Sequence, residues 1–347
     1  MLKFRGKRHK AGFPSGDDSP AIETSDLGRS FGDVVALRHV TFSVPVGSII
    51  GVIGPSGAGK TTAVRILTGA LAPTSGGARV LGQDCSRLRR RTRERIGYMP
   101  QLFSLFPDLT VGENVDFVAS LFGLLLLRRR RRVRIVLELV DLWAVRGRKA
   151  SQLSGGMQRR LELACAMVHE PSVLFLDEPT AGLDPLLRVA IWSELHRLSQ
   201  AGRTILVTTQ YVGEAEECAA VALFSEGQLV SFAPPDEMRR AAMGGEMIEL
   251  QTASLFDGER LAALPMVRSV RQVSARDLLI TADDAGTALP PTLAAIESAG
   301  GTVVSSREFR PTFDEVFATL VTNHRATLAA AAGDAATQAG TSIPTAT

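Results

Sequence analysis

Apolar positions follow two regimes along the chain. In the first, residues 48–54 (SIIGVIG), 173–178 (VLFLDE) and 204–209 (TILVTT) are short, nearly unbroken apolar runs rich in β-branched residues. Such runs predict strands buried on both faces, the habit of parallel sheets. Between them apolar residues recur at helical spacing, as at Ala63, Val64, Leu67 and Leu71. Strands alternating with amphipathic helices predict an α/β domain wound around a parallel sheet.

From Glu246 the units shorten. Residues 247–251 read as strand, 258–264 as helix, 267–273 and 278–281 as strands, 291–298 as helix and 302–306 as strand. The order β-α-β-β-α-β predicts a small α+β, ferredoxin-like second domain, and it contains no cluster of catalytic residue types. Residues 1–21 are basic and then rich in Gly, Pro, Ser and Asp, without the apolar spacing a packed element needs. At the other end a final helix is expected to stop near Asn323, leaving 324–347, rich in Ala, Thr and Gly, as a second disordered tail. The domain boundaries expected are therefore 22–243 and 244–323.

Composition narrows this picture only a little. With 347 residues, 45% of them hydrophobic, the chain has material for about two domains and ordinary cores. Thirty-nine basic residues against 36 acidic leave +3, too slight a bias to imply a nucleic-acid partner. Three irregularly spaced cysteines, Cys85, Cys165 and Cys218, argue against a disulfide framework or a zinc cluster and fit a reducing compartment. The most apolar stretch, 118–127, falls well short of the ~20 residues a membrane-crossing helix needs. The basic residues near the start are not followed by the apolar core of a signal peptide, so the chain is expected to stay in the cytosol.

The chemistry concentrates in three places. Gly54, Pro55, Ser56, Gly57, Ala58, Gly59, Lys60 and Thr61 fit the phosphate-loop pattern, placed between a buried strand and an amphipathic helix. Glycines let backbone amides turn around phosphates, Lys60 reaches the outer phosphates, and the Thr61 hydroxyl is a ligand for Mg2+, all at an anion-favouring helix N-terminus. Thr62 stands where a dinucleotide fingerprint would have its last glycine, which excludes that alternative. Asp177 and Glu178 end an apolar strand, where one carboxylate can hold Mg2+ and the other can polarise an attacking water. Ser154, Gly155 and Gly156 open a helix and offer a hydroxyl and free amides to a second phosphate. One phosphate loop already binds one nucleotide, so the second cradle makes sense in service of another subunit's nucleotide.

With these motifs in view, the chain resembles the ATP-binding subunit of an ABC transporter over about residues 22–240. Phe31 lies where that family has an adenine-stacking aromatic. The phosphate loop follows, then Gln101, the signature 153–158, the acidic strand end and the Gly182-Leu183-Asp184 loop, in the family's order. The resemblance implies a P-loop NTPase with a RecA-like core and antiparallel β and helical subdomains. It implies two ATP molecules held between two such subunits, as a homo- or heterodimer. Lys60, Thr61, Asp177 and Glu178 would carry the Mg2+-ATP chemistry, with Ser154 and Asp184 completing the paired site. Gln101 would sense Mg2+ and water and couple the site to a separate transmembrane permease at the cytoplasmic face of the cell membrane.

One position departs from the family. Its histidine after the strand 204–209 is replaced by Gln210, which can donate to the terminal phosphate but cannot become cationic. ATP hydrolysis is expected to persist more slowly, the alternative being an ATP-gated switch with little turnover. The second domain and the stretch 309–317 (FRPTFDEVF) resemble the C-terminal extension of ABC-2 type exporter ATPases, including those of daunorubicin-type resistance. Efflux of a hydrophobic drug or lipid-like substrate follows from that resemblance alone. Arg128 to Arg132 with Arg134 reads either as a solvated helix face or as a contact for anionic lipid. Phe103, Leu105, Phe106 and Leu109 read as core fillers or as the socket for a partner's helix.

Overall fold

The computed structural model describes residues 19–102 and 104–340, with side chains to residue 330. The described residues open on the antiparallel pair β1 (Ile22–Phe31) and β2 (Val34–Val44) and then enter β3 (Ile49–Ile53) and α1 (Lys60–Leu67). β4 (Ser75–Val80), β5 (Gln83–Asp84), the single turn α2 (Arg90–Arg93) and β6 (Ile96–Met99) follow. Three helices come next, α3 (Val111–Leu121), α4 (Leu126–Leu139) and α5 (Gly155–Met167). β7 (Val173–Asp177), α6 (Pro185–Gln200), β8 (Thr204–Thr208), the hairpin β9 (Ala220–Ser225) and β10 (Gln228–Ala233), and α7 (Pro235–Met243) complete the first unit.

Two sheets result, one antiparallel in the order β2-β1-β4-β5 and one mostly parallel in the order β10-β9-β3-β8-β7-β6. The apolar runs of β3, β7 and β8 are buried throughout, because each strand packs on both faces. Their alternation divides two cores. Ile49, Ile53, Leu174, Leu176, Ile205 and Val207 face the helices α3 to α6. Ile50, Val52, Val173, Phe175 and Leu206 face α1 and the antiparallel sheet. The carboxyl ends of β3, β7 and β8 come together, as parallel pairing requires, and this is where open α/β sheets bind ligands.

The second unit holds β11 (Glu246–Thr252), β12 (Val267–Gln272), β13 (Asp277–Ala282), α8 (Ala285–Ser298) and β14 (Val303–Phe309). Its sheet runs β12-β13-β11-β14 with every neighbouring pair antiparallel. The expected helix at 258–264 is only a 3-10 turn, Gly258–Leu261. The second helix starts six residues before the expected 291, because Asp284 caps it and Pro290 and Pro291 are accommodated inside it.

The two expected tail limits shift. Ala21, assigned to the N-terminal tail, is buried and bonded in the first sheet, its N–H donating to Val44 O at 2.8 Å; residues 1–18 lie outside the described residues. The final helix, α9 (Phe313–Gly340), does not stop near Asn323 but continues to Gly340, into the stretch assigned to a C-terminal tail; residues 341–347 lie outside the described residues. Alanine, read there as low complexity, is the best helix former. α9 turns back to the first unit, where Phe313, Val316 and Val321 join the core that contains Met238 of α7.

Candidate nucleotide site

The phosphate loop is shaped by close approach as much as by turn geometry. Gly59, at φ 98°, caps α1, and a β-carbon there would stand 2.6 Å from Ala36 O and from the Leu37 side chain. Gly54 is as constrained: its β-carbon would meet Phe224 O at 2.3 Å. Only glycine fits either place. Ser56 and Gly57 are exposed at the loop's tip, while Ala58 is buried and donates its N–H to Pro55 O at 3.2 Å. Thr61 and Thr62, in the first turn of α1, are half-buried.

Lys60 Nζ donates to Gly54 O at 2.7 Å and to Pro55 O at 3.0 Å, so the ammonium is held inside the loop. Its burial lowers the pKa from the usual lysine value, while Glu178 and Asp177 oppose that shift by favouring the charged form. That interaction places the lysine and the two strand-end carboxylates in one electrostatic site.

Thr208, at the end of β8, organises the carboxylates. Its hydroxyl donates to Asp177 Oδ1 and accepts the Glu178 N–H at 3.1 Å, and its carbonyl accepts the same N–H at 3.0 Å. Asp177 Oδ2 is buried and, among the described residues, accepts no hydrogen bond. A buried carboxylate oxygen beside a phosphate loop, with a threonine hydroxyl on α1, is a donor set suited to a hard cation that takes its remaining oxygens from phosphate and water. Glu178 occupies the left-handed region at φ 57°, strained for a non-glycine residue by about 1–2 kcal/mol. Gln210 Nε2 donates to Glu178 Oε1 at 2.6 Å. The residue that departs from the family pattern thus bonds the carboxylate expected to activate water.

Other expected residues lie elsewhere. Ser154 caps α5 by accepting the Met157 N–H at 3.4 Å, and Asp184 caps α6 by accepting the Leu187 N–H at 2.9 Å. A β-carbon on Gly156 would lie 3.5 Å from Gly182 O, so the signature and the 182–184 loop pack together. Among the described residues no side-chain hydrogen bond joins Ser154, Gly155 or Gly156 to the phosphate loop. Phe31 ends β1, 47% exposed, with the Arg29 guanidinium 4.6 Å from its ring centre. Gln101 is exposed and its carbonyl accepts from Arg159 at 3.0 Å. Of the expected socket, Phe106 is exposed, Leu105 and Leu109 are half-buried, and Phe103 lies outside the described residues.

Two residues escaped the sequence reading. Arg159 and Glu162 are inward-facing members of α5, 5% and 3% exposed, bonded to each other at 3.3 Å. The available signal was an ion pair at i,i+3 spacing beside the apolar positions Leu161, Leu163 and Ala164.

The ABC transporter family model matches residues 37–181. The chain is 39% identical over 225 residues to a probable multidrug ABC transporter ATP-binding protein of Escherichia coli, a match covering 65% of this chain and 39% of that protein. The chain thus spans about two fifths of the length of that relative. It is 38% identical over 309 residues to a daunorubicin resistance ATP-binding protein of Streptomyces coeruleorubidus, covering 88% of this chain and 97% of that one. A Nod factor export ATP-binding protein of Paraburkholderia xenovorans is 39% identical over 231 residues, covering 66% and 76%. Among solved structures, an ATP-binding subunit of an ABC transporter aligns with TM-score 0.60 and 26% identity over 64% of this chain and 92% of that one. A dimeric ATP-binding cassette in a post-hydrolysis state with ADP and Pi aligns with TM-score 0.58 and 26% identity over 61% and 98%. The chain therefore belongs to the ABC transporter family, whose ATP-binding cassette it carries.

Proposed function

We propose that this chain binds and hydrolyses Mg2+-ATP to energise an exporter whose membrane-spanning permease is a separate polypeptide. The observation that carries this reading is the convergence of Lys60, Asp177 with its unbonded Oδ2, and Glu178 bonded to Gln210. Thr61 and Asp177 would hold Mg2+, which supplies charge neutralisation at the phosphates, with Gln101 beside it. Lys60 leaves the carbonyls of Gly54 and Pro55 to meet the outer phosphates, and Glu178 accepts a proton from the attacking water. Gln210 keeps the Glu178 carboxylate pointed at that water by a neutral hydrogen bond.

The chain works as a pair, homo- or heterodimeric, with Ser154 to Gly156 and Asp184 of each copy completing the other's site. Exposure of Ser154 and Gly155 apart from their own phosphate loop supports that pairing, as does the dimeric cassette the chain aligns with. No helix among the described residues is long and apolar enough to cross a membrane, which suits a peripheral place at the cytoplasmic face of the cell membrane. The relatives' names, multidrug, daunorubicin resistance and Nod factor export, support efflux of a hydrophobic drug or lipid-like substrate. Exposed Leu102 and Phe106 suit the permease socket. Arg128 and Arg132 of the basic run pair with Glu170, Arg129 with Asp116 and Arg134 with Glu138, which supports a solvated helix face over a lipid contact. The second unit, tied back by α9, acts as a packing appendage of the exporter type.

The Gln210 to Glu178 bond also supports a second reading, an ATP-gated switch in which that bond holds the carboxylate away from catalysis. Magnesium-dependent ATP turnover, measured with and without the candidate permease, separates the two. Turnover that vanishes in Glu178→Gln supports the exporter ATPase. Tight ATP binding without turnover in either condition overturns it in favour of the switch.

A further inference from the structure

The guanidinium of Arg159 lies where the signature helix, the Gln101 loop and the acidic strand end meet. It donates to Pro100 O at 2.9 Å, to Gln101 O at 3.0 Å, to Glu178 O at 2.8 and 3.0 Å, and to Asp177 O. Its charge is balanced by Glu162, whose carboxylate also accepts the Ser104 N–H at 2.6 Å, so the loop after Gln101 is held from two directions. The Glu178 carbonyl it grips belongs to the residue at φ 57°. A planar guanidinium with five donors in a rigid fork can serve several carbonyls at once; a lysine ammonium on a flexible stem cannot hold that geometry.

We propose that Arg159 is a positioning residue for ATP hydrolysis. From the helix whose N-terminus carries the signature, it fixes the main chain of Glu178 and of the Gln101 loop. The hydrolytic geometry at one site thereby depends on the helix that faces the partner's ATP. The inference rests on the hydrolysis reading above and adds a route between the paired sites. Ser154 meets one nucleotide at the start of α5, and five residues on, Arg159 holds the carboxylate that acts on the other. Apart from the Glu162 carboxylate, Arg159 donates to main-chain carbonyls among the described residues, and it works by holding Glu178 in its turn.

Arg159→Lys in the full chain keeps the buried charge opposite Glu162 and removes the fork. Expected are normal folding by thermal unfolding, Mg2+-ATP affinity and KM within about threefold of wild type, and kcat lower by about 100-fold, the scale of a misplaced catalytic group. In a double-mutant cycle with Ser154→Ala, the combined loss in kcat should be smaller than the product of the single losses, since both act along one route. A folded Arg159→Lys protein with kcat within threefold of wild type overturns the inference. So does a parallel loss of affinity and kcat, the mark of general disruption, or a strictly multiplicative cycle. Should Arg159→Lys fail to fold, Arg159→Gln with Glu162→Gln removes both charges together; wild-type kcat in that protein overturns the inference, and a selective kcat loss supports it. A wild-type chain that binds ATP but never turns it over defeats the hydrolysis reading itself, whereas turnover equal in wild type and Arg159→Lys defeats this inference alone.

Discussion

The two sheet-bearing units handle polar groups in opposite ways. In the first, β3, β7 and β8 are buried along their whole length, so polar side chains leave the core only where the strands end. Asp177 and Thr208 stand at two of those ends, and the phosphate loop leaves the third. In the second unit most residues of β12 and β14 are exposed, and the sheet's apolar side chains pack with α8. Its charges pair across strands, as Arg307 with Glu249 at 2.6 Å. A sheet covered on both faces concentrates chemistry at its edge, while a sheet covered on one face disperses it.

Four perturbations test that contrast. The largest effect belongs to Lys60→Ala, expected to lower turnover by about 1,000-fold, the cost of removing a charge from a preorganised phosphate site. A protein that keeps a tenth of wild-type turnover would break the assignment of chemistry to the strand ends. In the second unit, Ile280→Ala removes a fully buried side chain and should cost about 3 kcal/mol in denaturant unfolding, with KM for ATP unchanged. A shifted KM would show that the second unit takes part in nucleotide binding.

Acid should act on the first unit. His169 stacks on Phe122 at 3.7 Å and bonds Ile96 O at 3.0 Å, and burial pushes its pKa down to about 4. The unfolded chain therefore takes up that proton first, near 6.5, so the stability contributed by neutral His169 is intact at pH 7 and lost as pH falls. Between pH 7 and pH 5 the loss amounts to about 2 kcal/mol. His169→Phe should flatten that part of the profile in chemical denaturation. The smallest effect is Thr110→Ala, which breaks the capping box with Glu113 at the start of α3 and should cost about 1 kcal/mol without altering turnover.

How much was legible depended on how locally each feature is encoded. The phosphate loop occupies contiguous residues, and its glycines declare a backbone that no other residue tolerates, as the approach of Gly54 to Phe224 O shows. α8 was half hidden because Pro290 and Pro291 read as breaks, although the Asp284 cap starts the helix before them. α9 was cut short because alanines carry no amphipathic stripe, and its length came from intrinsic propensity and from the anchoring of Phe313 and Val316 in the first unit's core.

The buried strands at 48–54, 173–178 and 204–209, the α/β alternation around them and the phosphate-loop pattern were legible in the sequence itself, since each depends on neighbours a few residues away. The tertiary structure alone decided that Thr208 binds both acidic residues, 30 and 31 positions distant, and that Gln210 bonds Glu178. It alone gathered four carbonyls from two distant segments around Arg159. Main-chain carbonyls are the same in every residue, so no pattern of side chains announces where a buried guanidinium will find them.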